Sequence, residues 1–297
     1  MIQPRLLTAG DRVAVVAPAG KIEQSGIDRA LQLLDSWGLQ TILGKNVFRE
    51  DGYFAGTDDE RLTDLQNALD DPTIAAILIA RGGYGTTRIL DKISLAAIRK
   101  HPKWLVGFSD LTALHLKMLS HGLCAIHGDV ATTLGRDQQT GEALRKLLFE
   151  GESIITVSQP ADPVIVEGRM VGGNLSLLVD SLGTASELAT NERFLFIEET
   201  GEKTYRVDRM MHQLYRAGKL NNLAGLLVGQ FSEIADGAAS FGASWQQCIA
   251  QVCHEFAYPV IFGWPIGHEP ENYPIVQGGN YRLVVDRQKA SLQYLRG

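Results

Sequence analysis

The chain has 297 residues, 45% hydrophobic and 21% charged, with a net charge of −6. That is ordinary globular composition, long enough for two domains or one large one, and with no basic tract it argues against nucleic acid or an anionic membrane as a partner. The N-terminus lacks the features of a signal peptide, no run approaches the ~18–20 apolar residues that span a bilayer, and three cysteines (Cys124, Cys248, Cys253) outside CxxC spacing fit a reducing compartment, so a soluble cytoplasmic protein is expected.

In chain order, Val13 to Ala17 (VAVVA) is a short continuous apolar run, the mark of a strand buried on both faces. Pro18-Ala19-Gly20 ends it, and Ile27 to Trp37 carries apolar residues at helical spacing. Thr41 to Leu43 is a second strand candidate. Thr57-Asp58-Asp59-Glu60 has the form of a capping box, opening a helix with Leu62, Leu65, Ala68 and Leu69. Ala75 to Ala80 (AAILIA) predicts another buried strand, followed by a glycine-rich turn, RGGYGTTR, and a helix. Trp104 to Phe108 predicts the next strand, an amphipathic Leu111 to Leu119 the next helix, and Ala125 to His127 one more strand. Strand, turn and helix repeated this way imply a parallel sheet with right-handed crossovers.

After about residue 150 the pattern fades. The stretch GESIITVSQPADPVIVEGRM has two β-branched runs split by Pro160 and Pro163, and reads as a connection between domains. The second half restarts at Val171-Gly172-Gly173-Asn174-Leu175 with a helical LSLLVDSL. Strand candidates follow at Phe194 to Ile197, Leu223 to Val228 and Val260 to Phe262, with helices at Val207 to Leu214 and Trp245 to Phe256. The expected fold class is α/β: an N-terminal parallel-sheet, flavodoxin-like domain over 1–155 and a second, smaller, mixed α/β domain over 156–297, with a linker at about 150–170.

Ligands of parallel α/β sheets bind where the carboxyl ends of strands meet their helices. One such junction is Gly107-Phe108-Ser109-Asp110. A nucleophilic serine needs a sharp strand-to-helix turn, and the N–H groups that follow it can face an oxyanion. The elbow pattern G-x-S-x-G is incomplete, because position 111 is Leu. Spacing alone favours a plainer role, a helix cap worth ~1 kcal/mol.

The other junction is Arg81-Gly82-Gly83-Tyr84-Gly85-Thr86-Thr87, a backbone able to approach a ligand closely and present N–H groups to an anion. It is neither a Walker A loop nor G-x-G-x-x-G. Taken alone it suits an oxyanion, a nucleotide phosphate or a bare tight turn. A binding module or small-molecule kinase using it as a phosphate loop is disfavoured, since no P-loop lysine or magnesium carboxylate accompanies it.

A serine nucleophile needs a base, and the base an orienting acid. Of seven histidines, His101, His121 and His254 lie on polar stretches, and His115 and His212 fall in helices. His127 ends a strand and could line the same cleft. His268 lies in GHEPENYP, a loop dense in turn-formers. Glu198 and Glu199 end an apolar strand, where alternation puts one of them on each face. No HExxH, CxxC or acidic cluster has metal-ligand spacing, so no metal or cofactor is implied.

Laid in order, these pieces resemble the LD-carboxypeptidase family of serine peptidases. The matching stretches are VAPAG (16–20), FAGTDDERLTDLQ (54–66), RGGYGTTRIL (81–90), GFSDLTAL (107–114), GGNLSLL (172–178), IEETGEKTYRVDRMMHQL (197–214) and GHEPENYPI (267–275). The resemblance implies a triad in the order Ser109, Glu198, His268, choosing Glu198 over Glu199, with the last two in the second domain. It also implies an oxyanion hole from the N–H of Asp110 and of Gly82 or Gly83. The implied substrate is a peptidoglycan-derived tetrapeptide that loses terminal D-alanine in cell-wall recycling. Arg81, Tyr84, Asn174 and Arg206 are its candidate binding residues, and a homodimer is the implied assembly. After His268 the chain reads YPIVQGG where family members tend towards LPLGA, a departure that bears on substrate preference. A related branch resembles microcin C immunity proteins, which cleave aminoacyl-nucleotide amides; it would call for an aromatic platform, for which Trp264 and Tyr273 are available.

Overall fold

A computed structural model describes residues 1–158, 162–236 and 240–297. The first half alternates as its apolar runs predict. It comprises β1 (Arg12–Val16), α1 (Asp28–Ser36), β2 (Gln40–Leu43), α2 (Asp58–Asp70), β3 (Ile74–Ile79), α3 (Thr86–Ile89), α4 (Ala96–Lys100), β4 (Trp104–Gly107), α5 (Thr112–Ser120), β5 (Ala125–His127) and α6 (Gln138–Phe149). The capping box at α2 forms in both directions: Thr57 Oγ1 accepts the Glu60 N–H at 3.3 Å, and Glu60 Oε2 accepts the Thr57 N–H at 2.9 Å. Three acids in that first turn also suit the positive end of the helix.

The second half comprises β6 (Ile154–Val157), β7 (Val164–Asn174), α7 (Leu175–Asp180), β8 (Arg193–Thr200), α8 (Thr204–Arg216), β9 (Gly225–Ser232), α9 (Trp245–Cys253), β10 (Val260–Phe262), β11 (Ile275–Gln277), β12 (Asn280–Val285) and β13 (Ala290–Leu295). Residues 151–170, expected to connect domains, therefore contribute two strands; Pro160 of that stretch lies outside the described residues. Its β-branched runs mean what β-branched runs usually mean, strands on a pleated surface.

Two sheets result. The first has the order β11-β5-β4-β3-β1-β2. Its β1 to β5 are parallel and follow the doubly wound order 2-1-3-4-5, as the flavodoxin-like expectation requires. The second has the order β10-β9-β8-β7-β12-β13-β6, parallel from β10 to β7 and antiparallel from β7 to β6, hence mixed. The last strand of the first sheet comes from far along the chain: β11 pairs antiparallel with β5, Ile275 opposite His127. The chain thus returns to the first sheet directly after the loop that holds His268.

One expectation fails instructively. The sequence predicts an amphipathic helix over Leu111 to Leu119, yet six of the nine residues of α5 are buried, from Thr112 to Leu116 and Met118. Leu114 and Met118 join the core beneath the first sheet, whereas Leu116 packs with Val171, Leu175 and Ile197 of the second. A helix wedged between two sheets keeps little solvent face to make polar, here only toward its end at Lys117 and Ser120. Among the described residues no helix is long and apolar enough to cross a membrane.

Candidate active site

Ser109 stands where β4 leaves the first sheet. The buried strand delivers the chain to Phe108, and Ser109 follows at φ 63°, opening a single 3-10 turn (Ser109–Leu111) before α5. A non-glycine residue in the left-handed region is uncommon and costs on the order of 1–3 kcal/mol, which the surroundings must supply. The turn has the strained strand-to-helix geometry of a nucleophile elbow. The capping role favoured by spacing is not what the hydroxyl does: neither this turn nor α5 has a side-chain cap. Instead Ser109 Oγ lies 3.0 Å from His268 Nε2.

His268 reaches Ser109 from the loop after β10. Its Nδ1 lies 2.7 Å from Glu198 Oε2, so the three side chains form one hydrogen-bonded line. Glu198 is fully buried on β8, between β7 and β9. Burial works against protonation of His268, but the hydrogen bond and charge of Glu198, with Glu199 and Glu233 beyond, outweigh it and raise the imidazole pKa above its ordinary value. The Phe108 ring packs edge-on against the imidazole, 4.9 Å between centroids.

Glu199 points the other way, as strand alternation requires. Its carboxylate accepts from Asn174 Nδ2 (3.0 Å), the Ser176 N–H (2.8 Å) and hydroxyl (2.6 Å), and the Thr200 N–H (2.9 Å). Asn174 also caps α7 by accepting the Leu177 N–H at 3.3 Å. Its carboxamide is therefore committed to structure on the far side of β8.

The glycine turn closes over the serine. A Cβ on Gly82 would lie 3.2 Å from Ser109 Cβ and 3.5 Å from Oγ, so only a glycine leaves the hydroxyl open space there. Asp110 ties the two turns together: its buried Oδ2 accepts the Thr86 N–H at 2.8 Å. Burial raises the Asp110 pKa, an effect that hydrogen bonds from Thr86 and Gly85 oppose. On the same turn, Gly83 and Tyr84 are exposed, and Arg81 is exposed with Nη1 donating to Lys21 O at 2.9 Å. Arg206 stands on α8 with its guanidinium engaged by Glu202 and the Tyr205 hydroxyl.

His127, at a strand end that would let it face the same cleft, lies inside the protein instead. It is fully buried, edge-on to Phe108 and Phe196, with neither ring nitrogen bonded. Burial, with His115 and His268 nearby, holds its pKa well below the ordinary value. His115 is buried likewise, its pKa lowered to about 3 by desolvation. Trp264 is fully buried and offers no ligand platform, while the Tyr273 hydroxyl contacts Gln139 Oε1 at 3.3 Å. A cavity of about 720 Å³ beside Tyr273, lined also by Gln139, Lys146 and Ile154, does not include Ser109, Glu198 or His268. Among the described residues no three His, Cys, Asp or Glu side chains gather as metal ligands.

Two side chains that sequence reasoning passed over hold the histidine loop. Asn272 Oδ1 accepts the Gly267 N–H at 3.0 Å, and Gln230 of β9 reaches the same loop. The faint signal for Gln230 is a lone carboxamide inside the apolar run GLLVGQF.

A hydroxyl, an imidazole and a buried carboxylate in line, at the carboxyl end of a parallel strand, form the arrangement that serine hydrolases use. Residues 13–128 match the LD-carboxypeptidase N-terminal domain and residues 167–283 the LD-carboxypeptidase C-terminal domain. The chain belongs to the LD-carboxypeptidase family. The probable murein peptide carboxypeptidase of Bacillus subtilis (strain 168) is 39% identical over 276 residues, covering 90% of this chain and 86% of the relative. The crystal structure of muramoyltetrapeptide carboxypeptidase from Oxalobacter formigenes superposes with a TM-score of 0.88 at 28% identity, covering 96% of this chain and 99% of the other. The microcin C7 self-immunity protein, in complex with aspartyl sulfamoyl adenosine, superposes with a TM-score of 0.86 at 21% identity over 98% of each chain, a likeness of fold.

Proposed function

We propose that this protein is a serine-type LD-carboxypeptidase that releases terminal D-alanine from peptidoglycan-derived tetrapeptides in cell-wall recycling. Ser109 is the nucleophile, His268 the base and Glu198 the orienting acid. The observation that carries this reading is the unbroken hydrogen-bonded line Ser109–His268–Glu198. Family membership and the murein-peptide names of similar proteins supply the substrate class.

The chemistry follows from the line. With Nδ1–H donating to Glu198, Nε2 is free to take the Ser109 proton as Oγ attacks the scissile carbonyl. The N–H groups of Asp110 and of Gly82 or Gly83 hold the oxyanion, each worth about 3–4 kcal/mol. His268 then protonates the departing D-alanine amine, and water, activated by the same imidazole, hydrolyses the acyl-enzyme. Of the candidate substrate residues, Asn174 is engaged by Glu199, and Arg206 is exposed on α8 with its guanidinium on Glu202; Arg81 and Tyr84 are exposed on the turn whose Gly82 stands against Ser109, and that proximity favours them for the terminal carboxylate and the peptide.

In this reading residues 1–155 supply the nucleophile and residues 156–297 the Glu and His. The protein acts in the cytoplasm, where Cys124, Cys248 and Cys253, all free and buried, remain thiols. It acts as a homodimer, which the family resemblance implies. Incubation with a murein tetrapeptide and with an acyl-sulfamoyl adenosine, followed by mass spectrometry, tests the substrate class. Loss of one alanine is expected; turnover of the adenosine conjugate alone assigns the protein to the microcin-immunity branch instead.

A further inference from the structure

The loop carrying His268 is gripped by one side chain from a neighbouring strand. Gln230, on β9, donates its backbone N–H to Ile266 O at 2.8 Å. Its Oε1 accepts the Glu269 N–H at 2.8 Å, and its Nε2 donates to Glu271 O at 2.6 Å. These three anchor points bracket His268, two residues before it, one after and three after. A carboxamide suits the task because it offers an acceptor and a donor from one rigid plane.

The loop approaches the strand as closely as a backbone can. Gly267 adopts φ 143°, and a Cβ there would lie 3.0 Å from Gln230 Cβ, 3.1 Å from its Oε1 and 3.3 Å from Glu198 Cβ. Glu198 sits on β8, which is paired with β9. The acid and the grip on the histidine loop therefore come from adjacent strands of one sheet, while Ser109 comes from the other. The tip itself is exposed at Glu269, Pro270 and Glu271, and the other ties lie at the base of the loop, where Asn272 Oδ1 accepts the Gly267 N–H at 3.0 Å and the Tyr273 N–H donates to Pro265 O at 2.8 Å.

We infer that Gln230 is a positioning residue for the reaction: it holds the His268 loop so that the imidazole meets Glu198 and Ser109 at once. The inference rests on the proposed roles of Ser109, Glu198 and His268. Gln230 bonds to the loop backbone and to none of those three side chains, so it acts through the loop. A displacement of about 1 Å at reacting groups can cost on the order of 100-fold in rate, which sets the scale of the effect.

The test compares Gln230→Met, which keeps the length and loses both side-chain bonds, with Gln230→Glu, which keeps the acceptor for Glu269 and loses the donor. Rates on a murein tetrapeptide are normalised to folded enzyme by circular dichroism and thermal melting. Gln230→Met is expected to lower kcat about 10- to 100-fold, leaving KM within about twofold. The apparent pKa of its kcat/KM profile should also fall, because the imidazole no longer rests on Glu198 with Glu199 and Glu233 behind it. A residue needed for stability alone would change neither kcat per folded molecule nor that pKa. Gln230→Glu should recover part of the lost kcat; if Gln230→Met does not fold, a severalfold drop in Gln230→Glu relative to the unaltered protein is the expected result. Unaltered kcat and pH profile in the folded variant overturn the inference. Ser109→Ala, run alongside, separates two failures. An inactive Ser109→Ala with a full-speed Gln230→Met removes only the role of Gln230; an active Ser109→Ala removes the catalytic reading and this inference with it.

Discussion

Gly82 stands directly against Ser109, close enough that a methyl group on its Cα would sit 3.2 Å from the serine Cβ and 3.5 Å from its Oγ. The contact is fixed by a buried bond one step away, from the Thr86 N–H to the Asp110 carboxylate, which joins the glycine turn to the serine turn. Gly82 does not have a positive φ, so alanine fits its backbone. Gly82→Ala should therefore fold with a nearly unchanged melting temperature and lose at least about tenfold in kcat, by crowding the hydroxyl and the adjacent N–H. Thermal melting and steady-state kinetics on the same preparation check both halves. An active Gly82→Ala would remove the turn from the reaction centre.

The pH dependence follows from His268. Its raised pKa means that the imidazole is protonated, and unable to act as base, up to a pH above the ordinary 6.5. The kcat/KM profile should rise with pH through a midpoint above 6.5. With Glu198 orienting the base as proposed, Glu198→Gln should move the midpoint down and lower kcat by roughly 10²–10⁴-fold, as loss of the orienting acid does in serine-protease triads. Stability has the opposite sign. The folded-state pKa is raised, so the His268–Glu198 pair stabilises fully below about 6.5, and this is lost as pH rises through the folded value. Glu198→Gln should thus destabilise more at pH 6 than at pH 9, which denaturant titrations at the two pH values measure.

His115 gives the reverse case. It is fully buried with neither ring nitrogen bonded, and its pKa falls to about 3. The unfolded chain gains a proton there below about 6.5 and the folded chain does not, so stability drops by up to about 1.4 kcal/mol per pH unit as pH falls from 6.5 towards 3. His115→Leu, close in volume, should leave activity intact and shift the acid-unfolding midpoint to lower pH. An unchanged midpoint would mean that this imidazole is not held neutral.

How much of this was legible in the residues varies with how local the cause is. VAVVA and AAILIA announced strands because a strand covered on both faces needs no polar alternation, and Thr57 and Glu60 announced α2 because a capping box is a contact within one turn. The wedge helix α5 was misread because its lack of a polar face is set by the second sheet, more than 50 residues on in sequence. Ile275–Gln277 went unnoticed as a strand: three residues carry no period, and their partner is β5. At the site, spacing marked Ser109, Glu198 and His268 as candidates without choosing their roles, and left Glu198 and Glu199 level. Family resemblance named one of them; the register of β8 accounts for the difference, turning Glu198 to His268 and Glu199 to Asn174 and Ser176. Gln230 left only a faint mark, since nothing local says that a carboxamide inside an apolar strand will reach across to the loop after β10.

The central claim is that Ser109, drawn up by His268 and Glu198, cuts the terminal D-alanine from a murein tetrapeptide. The most direct test is mass spectrometry of that tetrapeptide after incubation with the protein and, separately, with folded Ser109→Ala. The account predicts loss of a mass equal to one alanine with the unaltered protein and an intact peptide with Ser109→Ala. The same loss of alanine with Ser109→Ala would contradict it.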